Sequence, residues 1–378
     1  MKKSVLAMAM LFHGVDASEW VIDESIGSYT LFGIGVGDAT HAVAGTGSSG
    51  GAQPAFYNGS GWTLTYNSPS AAIMDMAALP GNTVSVYASF GGPFKSTDMG
   101  ESWAHTSDVI DPVQSVQTLN GDTFALAGEF TSKEFGYFGG VIMSTDGKAE
   151  NWTSFPIDGA SYVRFGAYPS STTWYITEGE WPATSGELNH VDSFVHAQPN
   201  LETGFSLSSR IHIGKGSKKR GSIGYVANIW KTTDGGKTFS KVFNSKPDDK
   251  FYFNGISCGS EESCVAVGDG DGLMTVAYNT QDGGATWKQV FDGGDKYVSL
   301  MPVKMTSELE GWIGPSGYQE GSKTDVVTDF YHTSDGGASW SLGQSLNDCI
   351  SSDIESSDGL TISTCLSRHG EAHVAFYQ

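Results

Sequence analysis

Residues 333–340 read Thr333-Ser334-Asp335-Gly336-Gly337-Ala338-Ser339-Trp340. The same order of hydroxyl residue, Asp, Gly and aromatic residue recurs at 96–103, 232–239 and 280–287, and weaker copies end at Trp62 and Trp152. An Asp side chain accepts hydrogen bonds from its own turn, and Gly tolerates positive φ. Each copy therefore predicts a tight hairpin whose aromatic residue packs between sheets. We expect a structural role for the repeated aspartates, which are Asp98, Asp146, Asp234, Asp282 and Asp335.

The aromatic residues of these turns continue along the chain, at positions 20, 62, 103, 152, 239, 287 and 340. Most gaps match the ~40–50 residues of a four-stranded propeller blade. One longer gap follows Trp152, and we interpret it as an insertion at 179–222 within one blade. Its strands are then predicted at 162–168, 174–178, 226–232 and 238–243. An eighth blade is the alternative.

The two ends of the chain predict how the ring closes. After Trp340, three strands are predicted near 348–352, 360–366 and 372–377, while residues 18–23 form a spare strand around Trp20. Pairing that strand into the last blade would remove an exposed sheet edge. The sequence thus predicts an all-β, seven-bladed β-propeller, with residues 18–378 as a single domain.

Residues 1–17 are typical of a secretory signal peptide, with Lys2 and Lys3 before an apolar run and small residues at 15–17. The apolar run is too short to cross a membrane, so we expect no membrane insertion. The predicted location is extracellular, and the alternative is an organelle lumen reached by the same route. Asn58 and Asn151 begin glycosylation acceptor sequences, which would make the product a glycoprotein in a eukaryotic host.

The formal net charge is −21 at pH 7. Nucleic acid is disfavoured as a partner, because a phosphate backbone requires clustered basic side chains. The four cysteines are an even number in a chain that carries an export signal, which favours disulfides over zinc. Cys258 and Cys264 flank one predicted hairpin and Cys349 and Cys365 another, so we expect these two pairs to form. We expect no cofactor and no metal.

In a propeller, the loops between the second and third strands of each blade lie on one face with the connections between blades. The long examples are predicted at 129–139, 179–222 and 319–326. Two neighbouring loops carry carboxylates that could serve a glycosidase as acid and base, although solvated surface is the favoured interpretation: Glu129, Glu134, Glu178 and Glu180. Arg164 on a predicted inner strand is a further weak catalytic candidate. Candidate binding residues are Trp174, Trp181, His190, His196 and Arg210.

The repeated turns resemble the Asp-box, or BNR, repeat of sialidases, sortilin-type receptors, xyloglucanases and photosystem II assembly propellers. The resemblance implies a propeller whose Asp-boxes lie away from the functional site. A sialidase-like protein would need an arginine triad, but Phe32-Gly33-Ile34-Gly35 stands where that family has Phe-Arg-Ile-Pro. Residues 310–314 and 331–337 are similar to the pattern of the photosystem II assembly group.

These observations favour a secreted binding or assembly module that is monomeric and has a protein or glycan partner. A carbohydrate-active enzyme, either a glycoside hydrolase or a lyase, is the alternative, so enzymatic activity stays open. A lumenal protein resembling the photosystem II assembly factors is the second alternative.

Overall fold

A computed structural model describes residues 19–23, 26, 30–47, 53–64, 73–81, 83–89, 92–107, 113–180, 226–246, 248–270, 274–322 and 324–377. The predicted signal peptide and most of the predicted insertion lie outside these residues. The part of the chain that the structure describes contains no helix, and hence none that is suited to spanning a membrane.

The described residues form antiparallel sheets built from short strands. In chain order the strands are β1 (Trp20–Asp23), β2 (Thr30–Asp38), β3 (His41–Gly47), β4 (Ala55–Tyr57), β5 (Trp62–Leu64), β6 (Ile73–Ala78), β7 (Ser85–Ser89), β8 (Phe94–Ser96), β9 (Ala104–His105), β10 (Val113–Leu119), β11 (Thr123–Ser132), β12 (Gly136–Ser144), β13 (Thr153–Pro156), β14 (Val163–Ala167), β15 (Trp174–Glu180), β16 (Val226–Thr232), β17 (Ser240–Asn244), β18 (Phe251–Cys258), β19 (Cys264–Gly270), β20 (Thr275–Thr280), β21 (Lys288–Asp292), β22 (Tyr297–Ser299), β23 (Val303–Met305), β24 (Gly311–Ile313), β25 (Ser316–Tyr318), β26 (Val326–Thr333), β27 (Ser341–Asn347), β28 (Ile354–Ser357), β29 (Leu360–Leu366) and β30 (Ala372–Tyr377).

Seven sheets follow one another as the blades of a β-propeller. Blades 1 to 5 contain β2–β5, β6–β9, β10–β13, β14–β17 and β18–β21. Blade 6 contains β22–β27, with its first and second strands each divided in two, and blade 7 contains β28–β30 and β1. The first strands of successive blades are in contact around the ring, and β28 of blade 7 contacts β2 of blade 1. The predicted seven-bladed fold is confirmed, and the eight-bladed alternative is not.

A separate apolar cluster fills the space between each pair of neighbouring blades. Between blades 1 and 2, for example, Val43 and Phe56 pack with Tyr87, Phe94 and Trp103. Removing these side chains from water supplies the main driving force for sheet packing. The aromatic residues that follow the repeated turns therefore lie between blades, as the sequence predicts.

The repeated turns are stabilised within themselves. In the turn at 333–340, Asp335 accepts hydrogen bonds from the Ser339 amide at 2.9 Å and from the Ser339 hydroxyl at 2.6 Å. Asp234 makes the same contacts with Thr238, whose hydroxyl and amide lower the pKa of Asp234 to about 2. Each of these turns joins the third and fourth strands of its blade. These carboxylates are acceptors for their own turns and are not poised for proton transfer.

The amino-terminal strand completes the last blade. β1 pairs with β30 from Trp20↔Tyr377 to Asp23↔Val374. Trp20 is 2% exposed, and its ring stacks on Phe330 of blade 6 at 4.3 Å. The Gln344 side chain accepts from the Trp20 amide at 2.6 Å and donates to the Trp20 carbonyl at 2.9 Å. The predicted closure is confirmed, and a neighbouring blade holds it in place.

The first strand of blade 7 differs from the prediction. It runs over Ile354–Ser357, whereas the sequence predicts a strand near 348–352. In that segment Ile350 forms only an isolated bridge with Leu366, and Cys349 is bonded to Cys365. The segment is thus the connection from blade 6 to blade 7, fixed against the side of β29.

Both predicted disulfides are present, Cys258–Cys264 and Cys349–Cys365. The first pair joins facing ends of β18 and β19. The second pair is buried in the cluster that contains Trp20. The second bridge therefore supports the blade in which the ring closes.

We expect Gln344→Ala to lower the free energy of unfolding by about 1–3 kcal/mol, because two backbone groups of Trp20 lose their partners. Urea denaturation followed by tryptophan fluorescence measures this loss. Gln289→Ala is the matched control, since Gln289 is exposed and its amide makes only a 3.4 Å bond to Phe291 in its own strand. Equal stability of the two variants would contradict the role of Gln344.

We expect the two disulfides to differ in their contribution to stability. Replacing Cys349 and Cys365 together by Ala should cost roughly 3 kcal/mol, and replacing Cys258 and Cys264 should cost roughly 2 kcal/mol, because a longer closed loop restricts the unfolded chain more. The sequence separations are 16 and 6 residues. Urea denaturation without reductant checks the order, and the reverse order would show that loop length does not govern it.

Candidate functional site

The two ends of the propeller carry different connections. The turns between second and third strands lie at the same end as the connections between blades, and we call this end the upper face. The repeated Asp turns join third and fourth strands, so they lie at the opposite, lower face. Among the predicted catalytic residues, Glu134 lies in a turn at the upper face and the others lie near the upper ends of their strands, so this face is the candidate site.

Residues 129–139, predicted as a loop, form mostly an extended hairpin. β11 runs to Ser132 and β12 begins at Gly136, and pairing continues to Ser132↔Gly136. Glu129 in β11 accepts a 2.5 Å hydrogen bond from the Tyr162 amide and another from the Tyr137 hydroxyl. Glu134 is exposed in the turn.

Glu178 in β15 is 5% exposed and is surrounded by donors. Its Oε1 accepts from the Ser161 amide at 3.0 Å, and its Oε2 accepts from Asn228 Nδ2 at 3.0 Å and Trp230 Nε1 at 2.7 Å. Lys241 Nζ lies 3.5 Å from the same oxygen. A buried carboxylate with this many donors is a structural acceptor.

The structure brings Glu129 and Glu178 together at one turn, where they bind the successive amides of Tyr162 and Ser161. Tyr162 has φ of 60°, which is unfavourable for a residue other than Gly. Its carbonyl accepts from the Gly179 amide at 3.1 Å. Blades 3 and 4 thus hold this strained turn from two sides, directly before β14.

Arg164 follows that turn on the inner strand of blade 4. Its guanidinium carbon lies 5.1 Å from the centre of the Tyr252 ring and 5.4 Å from that of Phe165. Burial lowers the pKa of Arg164, while the charges of Tyr252 and Asp269 oppose that shift. Arg164 is therefore a cation in the interior of the propeller, surrounded by aromatic side chains.

Asp269 in β19 is a further buried carboxylate, on the second strand of blade 5. Its side chain accepts from the Leu300 amide at 2.5 Å, from Asn254 Nδ2 at 2.6 Å and from the Ser299 hydroxyl at 3.2 Å. Burial raises the pKa of Asp269 to about 7, although these bonds and Arg164 lower it. Asp269 joins blade 5 to blade 6.

The described residues do not assemble an arginine triad. A Cβ at Gly33 would lie 2.5 Å from Asp75 Cα, so the backbone of blade 2 occupies the place of a side chain there. Arg368 is exposed on the rim, where it contacts Asp325 and lies 3.9 Å from Asp348. Arg210 lies outside the described residues.

Trp174 is 1% exposed and packs with Phe155 and Tyr168 at ring distances of 5.1 and 5.9 Å, in the core between blades 3 and 4. This placement provides no surface for a ligand. The other predicted binding residues, Trp181, His190 and His196, lie outside the described residues, as does the side chain of Glu180. Within the described ranges, His, Cys, Asp and Glu side chains do not form a group of three that could hold a metal ion.

Two aromatic residues protrude from the tip of the β11–β12 hairpin. Phe135 is 45% exposed and Tyr137 is 56% exposed. The Tyr137 hydroxyl donates to Glu129, which in turn holds the Tyr162 amide. The exposed tip is thus joined by hydrogen bonds to the strained turn. The sequence signal for the exposed hairpin tip is a Gly between two aromatic residues at 135–137.

Comparison with known proteins extends the fold assignment. No protein-family model matches the sequence, and no curated protein matches it. Among solved structures, YCF48 bound to D1 peptide is similar with a TM-score of 0.55 and 10% identity, over 96% of this chain and 98% of that one. YCF48 from Cyanidioschyzon merolae gives 0.55 and 11%, over 95% and 98%. The Niastella koreensis GH74 enzyme gives 0.38 and 10%, over 87% and 65%. The first two similarities show a shared propeller fold.

We expect Glu178→Ala to lower the free energy of unfolding by about 3 kcal/mol, because Ser161, Asn228 and Trp230 would lose a common acceptor. Glu134→Ala is the matched control and should change stability by less than about 0.5 kcal/mol, since Glu134 is exposed. Urea denaturation of both variants tests this. A stable Glu178→Ala protein would show that the carboxylate is not needed for the turn.

Proposed function

We propose that this chain is a binding module whose upper face recognises another protein through the β11–β12 hairpin and the adjoining Tyr162 turn. The observation that carries the proposal is the dual use of Glu129, which binds Tyr162 and also the exposed Tyr137. This arrangement orders the exposed Tyr137 side chain before any partner arrives. Ordered aromatic residues contribute strongly to protein interfaces, because little conformational entropy is lost when they bind.

The engagement of Glu129 and Glu178 argues against a glycosidase at this position. A retaining or inverting enzyme needs two carboxyl groups that face the sugar from a site open to substrate. Glu178 is buried, and both side chains are hydrogen-bonded to backbone amides of the turn. These contacts favour a role in protein recognition over a role in sugar hydrolysis.

Three further observations support a protein partner in an oxidising compartment. The structure contains two disulfides, which are typical of exported proteins. The net charge of −21 favours association with a basic surface and makes the association rate depend on salt. In addition, a propeller of similar fold has been solved with a bound peptide. The extracellular space or an organelle lumen reached by the secretory route is the proposed location.

Selection of binders from a displayed peptide library, using the full chain, tests the proposal. We expect recovered peptides to be basic and to lose at least about tenfold in affinity with Phe135→Ala or Tyr137→Ala, as for buried aromatic anchors. Leu342→Ala is the matched control, because Leu342 is also an exposed apolar side chain but lies on the outer strand of blade 6.

Other outcomes would contradict the proposal. Equal loss of affinity in the Leu342→Ala protein would show that the hairpin is not the recognition surface. Binding to a glycan array with no peptide recovered would assign a glycan partner instead. Release of reducing sugar from polysaccharides, abolished by Glu129→Gln in a folded protein, would establish the hydrolase alternative.

A further inference from the structure

Two acceptor sequences for N-linked glycans lie in turns of the propeller. One reads Asn58-Gly59-Ser60, between β4 and β5, and the other reads Asn151-Trp152-Thr153, between β12 and β13. Each turn joins the third and fourth strands of its blade, so both lie on the lower face, and both asparagines are exposed. Position and exposure therefore do not distinguish the two asparagines, and the difference between them lies in their side-chain contacts.

The Asn58 side chain serves as the hydrogen-bond acceptor of its turn. Its Oδ1 accepts from the Ser60 amide at 3.1 Å and from the Ser60 hydroxyl at 2.8 Å. This arrangement is an Asx turn, in which an Asn side chain binds the backbone two residues further on. The Asn58 Nδ2 group makes no hydrogen bond to any residue within the described ranges. The amide nitrogen is thus available to another group, while the neighbouring carbonyl oxygen is held by the turn.

The contacts of Ser60 also favour chemistry at Asn58 Nδ2. An amide nitrogen is a weak nucleophile, because its lone pair is delocalised into the carbonyl group. Loss of a proton from Nδ2 moves negative charge onto Oδ1, and two Ser60 donors already bind that oxygen. Hydrogen bonds to a charged form stabilise it. The turn therefore makes Asn58 Nδ2 more reactive than the nitrogen of an amide whose oxygen has no donors.

Asn151 has a different role, as a donor to the Asp146 carboxylate. Its backbone amide and its Nδ2 both lie 2.9 Å from Asp146 Oδ2. In the strong copies of the turn, the residue before the aromatic residue makes a comparable pair of contacts. Thr238, for example, donates to Asp234 through its amide at 2.9 Å and through its hydroxyl at 2.7 Å. Asn151, directly before Trp152, thus replaces the hydroxyl residue of the repeated turn.

The other two residues of that acceptor sequence also contribute to the fold. Trp152 packs against the cluster between blades 2 and 3, and its Nε1 donates to the Thr106 carbonyl at 3.1 Å. Thr153 begins β13 and pairs with Met143. Its hydroxyl, unlike that of Ser60, makes no hydrogen bond within the described ranges to the Asn two residues before it. This match to an acceptor sequence therefore follows from the requirements of the turn and of β13.

We propose that Asn58 is the N-glycosylation site of this chain and that Asn151 is not glycosylated. The co-reactant is an oligosaccharide whose C1 atom is linked to a lipid diphosphate, supplied in the secretory route. The bond from C1 to the diphosphate oxygen breaks, and a bond from C1 to Asn58 Nδ2 forms. Nδ2 releases one proton and the lipid diphosphate is the leaving group, so no atom is oxidised or reduced.

The two turns can impose this difference while the chain is being made. Asn58 and Ser60 are two residues apart, and Asp146 and Asn151 are five apart, so neither set of contacts needs a distant part of the chain. Hairpins form in about 1–10 μs, whereas synthesis adds roughly 5–20 residues per second. Asp146 therefore binds Asn151 long before the ring closes, at the stage when a nascent chain receives its glycans.

Glycosylation at Asn58 rests on the proposed secretory route and is independent of the proposed recognition surface. The lower face lies opposite the β11–β12 hairpin, so a glycan at Asn58 leaves Phe135 and Tyr137 uncovered. A yeast secretion leader placed before the full chain makes entry into that route independent of residues 1–17. Failure of export by the natural leader and failure of glycosylation at Asn58 are then distinguishable.

Peptide mass spectrometry of the full chain, made in yeast behind this leader, tests the proposal. Total protein from cells and medium is treated with peptide N-glycosidase in water enriched in heavy oxygen, which converts each glycosylated Asn to labelled Asp and distinguishes it from spontaneous deamidation. We expect labelling at Asn58 and none at Asn151. Ser60→Ala should abolish the glycan. Thr153→Ala is the matched control, because it removes the hydroxyl of the other acceptor sequence and should leave the glycan unchanged.

A second pair of variants tests whether Asp146 withholds Asn151 from the reaction. Asp146→Ala removes the acceptor of Asn151 Nδ2, so a second glycan should appear at Asn151. Asp234→Ala is the matched control, because it breaks the equivalent turn of blade 4 and leaves Asp146 in place. The label is read on peptides, so the result does not depend on whether a variant folds.

Four outcomes would overturn the proposal. They are a glycan at Asn151 in the unsubstituted chain, an unmodified Asn58, a second glycan in Asp234→Ala, and an Asp146→Ala protein that lacks the second glycan.

Discussion

The inner edge of each blade poses the physical problem on which the rest of this structure depends. The first strand of a blade lies at the edge of its sheet, so some backbone amides there have no neighbouring strand to bond with. Side chains from the preceding blade accept these amides instead. Asp353 serves Ile34, Asp75 serves Val116, Glu129 serves Tyr162, Asp269 serves Leu300 and Ser257 serves Met305. At these four junctions, polar bonds fix how one blade is placed against the next, while apolar clusters hold the blades together.

This arrangement explains why several carboxylates share features with an active site while they accept hydrogen bonds that hold the backbone in place. A buried acid that accepts a backbone amide is desolvated and hydrogen-bonded, and catalytic acids share both properties. At Glu178 and Glu129, each carboxylate accepts one amide of the strained turn between blades 3 and 4, together with side-chain donors from β16 and β12. The recognition surface that we propose is the part of the upper face that these bonds set in position, namely the hairpin tip with Phe135 and Tyr137.

The fold could be predicted from sequence because its strongest signals are local. Asp335 binds Ser339 four residues away, and each turn of this kind indicates the presence of one blade. The Cys258–Cys264 disulfide could also be predicted from local sequence, because the two residues face each other across a short hairpin. The site could not be predicted in this way, because Glu129 meets a residue 33 positions distant and Asp353 meets one 319 positions distant. Local sequence does not distinguish the buried Glu178 from the exposed Glu134. The segment 348–352 was misassigned because an isolated bridge has the same sequence character as a strand.

The pairing of β1 with β30 also governs the order of events during biosynthesis. β1 is synthesised well before β30, so blade 7 cannot assemble until β30 has left the ribosome. Until β1 docks, Trp20 and, once it is made, the edge of β30 are exposed, and such surfaces attract chaperones or other unfinished chains. Contacts between distant parts of a chain also form slowly. We expect the final step of maturation to be the docking of β1, with Gln344 holding Trp20 once it has arrived.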